Sequence, residues 1–208
     1  MLTRRIFYTI KHLLTLLMIV DISQAIANEN PELDGNQASI DKLFYWPQRH
    51  FDWYYTPLNE PSWLSSDDSV RLFMNAAEAW SRCGLEINFK GMAYMPPKQR
   101  DGLNMMGWHT LPPGIRALTF RQTKKFTVEI LESDVVVNKK NQDLQNNPRL
   151  LQKVINHEFG HAIGLIHSDG CLDVMSSAAE CGVRIKNPPP VEVTEKDLAQ
   201  CQLRYPEP

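Results

Sequence analysis

Two hydrophobic periods take turns along the chain. Within an aromatic-rich stretch from Phe44 to Trp63, Phe51, Trp53 and Tyr55 recur at every second position, the pattern of a strand with one buried face. Core and sheet packing is the commoner use of such aromatics; a sugar- or peptide-binding face is the other. Val70, Phe73, Ala77 and Trp80 then repeat at helical spacing behind the Ser and Asp caps of SSDD, and Gly84 stops that helix. Leu85, Ile87 and Phe89 return to alternation, up to Gly91. Residues 92–102 read as a loop, NMMGWHT as a short strand, and Pro112-Pro113-Gly114 as its end. Leu118 and Phe120 alternate beside charged residues, Lys124-Lys125 form a turn, and FTVEILESDVVVN predicts a longer strand. Asn147 and Pro148 open a second helix, and Gly164, which tolerates left-handed backbone, closes it. Residues 176–190 read as loop, and Thr194-Glu195-Lys196-Asp197 begins a closing helix. There is no internal repeat.

With 208 residues, 43% hydrophobic and 22% charged, the chain has room for one domain with a real core and none for a second catalytic domain. The N-terminus reads as an export signal over 1–27: Arg4, Arg5 and Lys11, an apolar run from Leu13 to Val20, then Ala25-Ile26-Ala27 as the cleavage site. That run is too short to span a bilayer permanently, and an uncleaved anchor is the alternative. Residues 28–43 are polar and read as a flexible mature N-terminus, which leaves 44–208 as the domain. The expected location is therefore periplasmic or extracellular. A net charge of −2, more acidic once residues 1–27 are gone, offers nothing to nucleic acid. Four cysteines in an exported chain favour two disulfides, with three connectivities open. The preferred pairing is Cys171 with Cys181 and Cys83 with Cys201.

The chemistry concentrates in HEFGHAIGLIH, residues 157–167. On a helix, His157 and His161 leave the same face and can grip one metal ion. Glu158, rotated off that axis, can stand beside a metal-bound water as a general base. A turn at Gly164 lets His167 swing back as third ligand, and three nitrogens leave a fourth position open, which marks catalytic rather than structural zinc. Plain amphipathic packing is the bland alternative, but it would set two histidines and a glutamate among Val154, Ile155, Phe159, Ala162 and Ile163, where unpaired polar groups are costly. Glu129, Glu132 and Asp134 are a candidate set for calcium, short of the converging oxygens a hard cation asks for.

The segment is the H-E-x-x-H-x-x-G-x-x-H signature of the metzincins, and the chain most resembles their matrixin branch of bacterial type. Met175 lies eight residues past His167, where matrixins place the methionine that floors the metal. A helix ending in tryptophan and running into a strand, the DGLNMMGW run and the VTEKDLAQCQLRYP closing helix extend the likeness over roughly residues 45–206. The resemblance implies an α+β metzincin domain, in which a twisted, mixed but mostly parallel sheet packs on an active-site helix and a C-terminal helix. It implies a zinc endopeptidase with one zinc on His157, His161 and His167, and Glu158 as catalytic base; with the export signal, a secreted monomer is expected. It implies a protein or peptide substrate bound extended along an edge strand at residues 116–122. Three departures stand out. Residues 28–82 hold no cysteine that could block the zinc, His50 and His109 are too few and too far apart for a second zinc, and Ser176-Ser177 with Pro188-Pro189-Pro190 replace the family's Met-Tyr-Pro run, so specificity does not carry over. The rival readings are a non-catalytic secreted binding protein with a structural zinc, and an interaction module built on the aromatic stretch.

Overall fold

Phe51, Trp53 and Tyr55 do point into the core: β1 (His50–Tyr55) alternates half-buried and fully buried residues along its length. This computed structural model describes residues 44–168, 171–177 and 192–206. The expected export signal, the polar segment to residue 43 and most of the loop at 176–190 lie outside them. β1 pairs in parallel with β2 (Glu86–Met92) on one side and β3 (Met105–His109) on the other. β3 runs parallel to β5 (Ile130–Asn138), and β5 is antiparallel to β4 (Ala117–Thr123), giving the order β2-β1-β3-β5-β4. The sheet is mixed and mostly parallel, with β4 at one edge. β5 begins four residues later than the hydrophobic pattern predicts. Lys124 to Glu129 reverse the chain instead, with Lys124 N–H donating to Glu129 O at 2.9 Å and Phe126 in left-handed backbone at φ 64°.

Ser65 caps α1 (Ser66–Ala79), its Oγ accepting from Asp68 N–H at 3.1 Å. One 3-10 turn, Ser81–Cys83, separates that helix from Gly84. α2 (Gln142–Asn146) is too short to announce itself by periodicity. Asn147 then caps α3 (Pro148–Ala162) by accepting from Leu150 N–H at 3.0 Å, with Pro148 in the first turn, where its missing N–H is harmless. Thr194 and Asp197 form a reciprocal capping box on α4 (Glu195–Gln202). The structure is thus α+β. A disulfide joins Cys83 to Cys201 and so ties the turn after α1 to α4, across a separation of 118 residues. In the chain-entropy model a closure of that span contributes about 4 to 5 kcal/mol. Cys171 is also disulfide-bonded, and Cys181 lies outside the described residues.

The core lies between the sheet and α1 and α3. Phe159 meets Phe51 and Trp53 edge-on, at ring distances of 5.8 and 5.7 Å. Trp80 closes the end of α1 against α3, its indole N–H donating to Asn156 O at 2.9 Å. Gly160 is what admits it, because a Cβ there would sit 2.8 Å from the Trp80 ring. The C-terminal end of α3 is buried, so its carbonyls need partners. Trp46 supplies an indole N–H to Ala162 O at 3.1 Å, and Tyr205 supplies its hydroxyl to Ile163 O at 2.9 Å while accepting from Trp46 N–H at 2.9 Å. Tyr205→Phe would strand one buried carbonyl and one buried amide. The expected loss is about 1 to 3 kcal/mol, read as a lower urea midpoint at unchanged slope; a midpoint equal to wild type would refute the pinning.

Candidate metal centre

α3 carries His157 and His161 one turn apart, with ring centroids 4.6 Å from each other. The helix then ends in a Schellman motif: Leu165 N–H donates to Gly160 O and Gly164 N–H to His161 O, both at 3.0 Å. Gly164 takes φ 112°, and a side chain there would run into the Phe44 carbonyl. Through this reversal His167 returns to the helix face. Its Nε2 lies 3.2 Å from His161 Nε2 and 3.3 Å from His157 Nε2.

Those separations suit a metal. His157 Nδ1 faces Val174 O at 2.8 Å and His161 Nδ1 faces Leu165 O at 2.9 Å. A carbonyl only accepts, so both rings carry their proton on Nδ1 and turn the Nε2 lone pair inward. Converging lone pairs repel unless a cation sits among them. Four ligands at tetrahedral angles and zinc–nitrogen bonds of 2.0–2.1 Å stand about 3.3 Å apart, close to the spacing found. Among the described residues these three histidines are the group able to hold a metal ion.

Electrostatics keep the donors neutral. Burial pushes the His157 imidazole below its ordinary 6.5, and burial, with His157 and Arg121 adding to it, pushes His161 well below. Arg121 enters from β4. Its guanidinium lies 4.2 Å over the Phe44 ring and donates to His161 O at 3.3 Å and Leu165 O at 3.2 Å. Desolvation draws it down to about 10, with Glu158 opposing, so it stays cationic at neutral pH. Glu158 is 8% exposed, and its Oε2 accepts from the Thr119 hydroxyl at 2.6 Å.

Met175 is fully buried against α3, its methyl 3.3 Å from where a Cβ on Gly160 would sit. The buried Asp197 carboxylate holds the turn that presents it, accepting from Val174 N–H at 3.0 Å and Met175 N–H at 3.1 Å. A chain of bonds therefore runs from the α4 cap through this turn to the Nδ1 of His157. The capping box discloses Asp197 as a cap, but nothing local discloses its hold on residues 174 and 175. Thr119 and Arg121 escape the sequence reading too, although they alternate with Leu118 and Phe120 and so must share the opposite face of β4.

The candidate calcium ligands do not assemble. Glu132 accepts from Arg100 and Gly102 N–H and Asp134 from Met105 N–H, while Glu129 pairs with Lys124 at 3.0 Å. Burial pushes Asp134 up to about 7. Glu132 and Asp134 staple residues 100–105 to β5 and Glu129 closes the turn before that strand, which explains their spacing without a cation. His50 and His109 lie on different strands, and the His109 ring lies against Thr110 O.

Three comparisons bear on kinship. A family model described as Matrixin matches residues 45–205. No curated protein matches the chain. A solved structure described as the "GM1 bound form of the ECX AB5 holotoxin" superimposes with a TM-score of 0.54 over 79% of this chain and 84% of that one, at 10% identity, a likeness of fold alone. With a match that spans nearly the whole described region and the three histidines on one point within it, this chain belongs to the matrixin family.

Proposed function

We propose that the chain is a zinc-dependent endopeptidase on a metzincin domain at residues 44–208, exported by a cleaved signal at 1–27, with 28–43 as a flexible mature N-terminus. Zinc metallopeptidase is the activity suggested at the level of the family. The observation that carries the finer reading is the convergence of three Nε2 lone pairs beside a shielded glutamate that is not one of the three. His157, His161 and His167 would hold the zinc, leaving one position open to water or substrate. When bound, the ion supplies Lewis-acid chemistry, acidifying a water and polarising the scissile carbonyl. Glu158 takes the proton of the attacking water and delivers it to the leaving amine nitrogen, so its carboxylate ends each turnover as it began. The free edge of β4 supports backbone pairing with an extended peptide, and no helix among the described residues is long and apolar enough to cross a membrane. The protein would work as a monomer in a periplasm or outside the cell.

Three outcomes follow. First, the wild type cuts a diverse peptide mixture, read by mass spectrometry, and a strong chelator abolishes cutting. Glu158→Ala keeps its zinc but loses about 100- to 10,000-fold in rate. Full activity in chelator, or an unimpaired Glu158→Ala, would reject the peptidase reading, and zinc binding without cutting by the wild type would favour the binding protein.

Second, acid should displace the metal later than free histidine would suggest. The folded pKa values of His157 and His161 lie below 6.5, so between those values and about 6.5 the unfolded chain binds more protons than the folded one. The stabilisation these two histidines contribute is present above about 6.5 and is lost as pH falls through their folded values. Zinc content measured against pH should still be intact at pH 6.5 and fall below it; loss centred at 6.5 or higher would contradict the desolvated site. Third, Asp197→Asn puts an amide donor against a backbone N–H and frees the turn that fixes His157. Zinc affinity, measured by chelator competition, should drop about 10- to 100-fold; an unchanged affinity would separate the turn from the metal.

A further inference from the structure

We propose that Thr119 is a positioning residue for Glu158, setting the orientation of the carboxylate that moves the proton. The assignment rests on the peptidase reading and adds a residue to it. Thr119 sits on the edge strand β4, its backbone fixed by pairing opposite Val135 of β5, and its side chain is turned toward α3. The hydroxyl has two acceptors on the same residue: Glu158 Oε2 at 2.6 Å and Glu158 O at 3.0 Å. One O–H donates to one of them at a time. A carboxylate oxygen is the stronger acceptor, and 2.6 Å falls in the range of charge-assisted O–H···O⁻ bonds, so the hydrogen goes to Oε2.

That bond does two things. It fixes the rotation of the carboxylate, leaving Oε1 as the oxygen that meets the water, and it survives the proton transfer. While the carboxyl group holds the proton on Oε1, the hydroxyl keeps donating to Oε2, which remains an acceptor as the carbonyl oxygen of the acid. The threonine proton never leaves; the transferred proton passes from water to Glu158 and on to the amine nitrogen. β-branching leaves Thr119 few χ1 choices, so the hydroxyl is held rather than swinging. Arg121, two residues along the same face, is engaged by the Phe44 ring and by the carbonyls of His161 and Leu165. Its charge biases Glu158, but the short hydrogen bond that sets the angle comes from Thr119.

The test compares the full chain with Thr119→Val, which keeps the shape and removes the hydroxyl, Thr119→Ser, which keeps the hydroxyl, and Thr119→Ala, which guards against crowding by the added methyl. Peptide cleavage, zinc content, thermal midpoint and a crystal structure are read for each. Thr119→Val and Thr119→Ala should lose about 10- to 100-fold in kcat with KM little changed and zinc retained. Thr119→Ser should recover most of the loss, and the Thr119→Val crystal structure should show the Glu158 carboxylate in more than one orientation. Wild-type kcat in both hydroxyl-free variants, a loss in Thr119→Ser equal to theirs, a change confined to KM, or a single unchanged Glu158 rotamer would each overturn the assignment. A wild type that cuts nothing would instead sink the peptidase reading, and this one with it.

Discussion

Two imidazoles four residues apart come with any helix; the third must be turned back toward them within six residues, and that reversal is the constraint everything else serves. Reversing a buried helix end exposes carbonyls to a region without water. Here they find partners: Ala162 O takes the Trp46 indole, Ile163 O the Tyr205 hydroxyl, and His161 O and Leu165 O the Arg121 guanidinium. Gly164 accepts the left-handed backbone that lets the chain change direction. Remove these partners and the 3.2 and 3.3 Å nitrogen separations lose their cause.

Opposing fields meet at the same place. The negative end of a helix favours a cation, and the Leu165 carbonyl against His161 Nδ1 pulls the same way. Burial outweighs both, helped by the competing titration of neighbouring His157 and by the charge of Arg121, so His161 is kept neutral. Neutral imidazoles with their protons committed to carbonyls are poor partners for one another and good ones for a metal. The cation that repels a proton from His161 also lies beside Glu158, so one arginine influences both side chains.

What the sequence disclosed were the features settled within a few residues. The zinc motif, the Asn147-Pro148 start, the Gly164 stop, the Thr194 cap and the alternation of β1 all rest on local geometry. Alternation and flanking turn signals mark the strand at 117–123, while its place at the sheet edge comes from the family resemblance, and Cys83–Cys201 is the preferred one of three open connectivities that the structure bears out. The hydrophobic pattern extends the longer strand back to Phe126 because Val128 suits a strand, whereas Phe126 adopts positive φ and the strand begins at Ile130. Glu132 and Asp134 suggested a cation because their partners, the amides of Arg100, Gly102 and Met105, lie about thirty residues upstream. Thr119 and Arg121 act on carbonyls and a carboxylate 39 to 44 residues away, a relation no window of sequence contains. Local rules write the ligands; tertiary structure writes what holds them.

The pairing of Trp46 with Tyr205 joins positions 159 residues apart. Closing the end of α3 is therefore among the longest-range events in the fold, and such contacts are made late because the loop entropy must be met first. On a ribosome, α3 is complete before Asp197, Cys201 and Tyr205 emerge to set its end. The three histidines thus converge only once nearly the whole domain is available, so order of synthesis sets when their arrangement is complete.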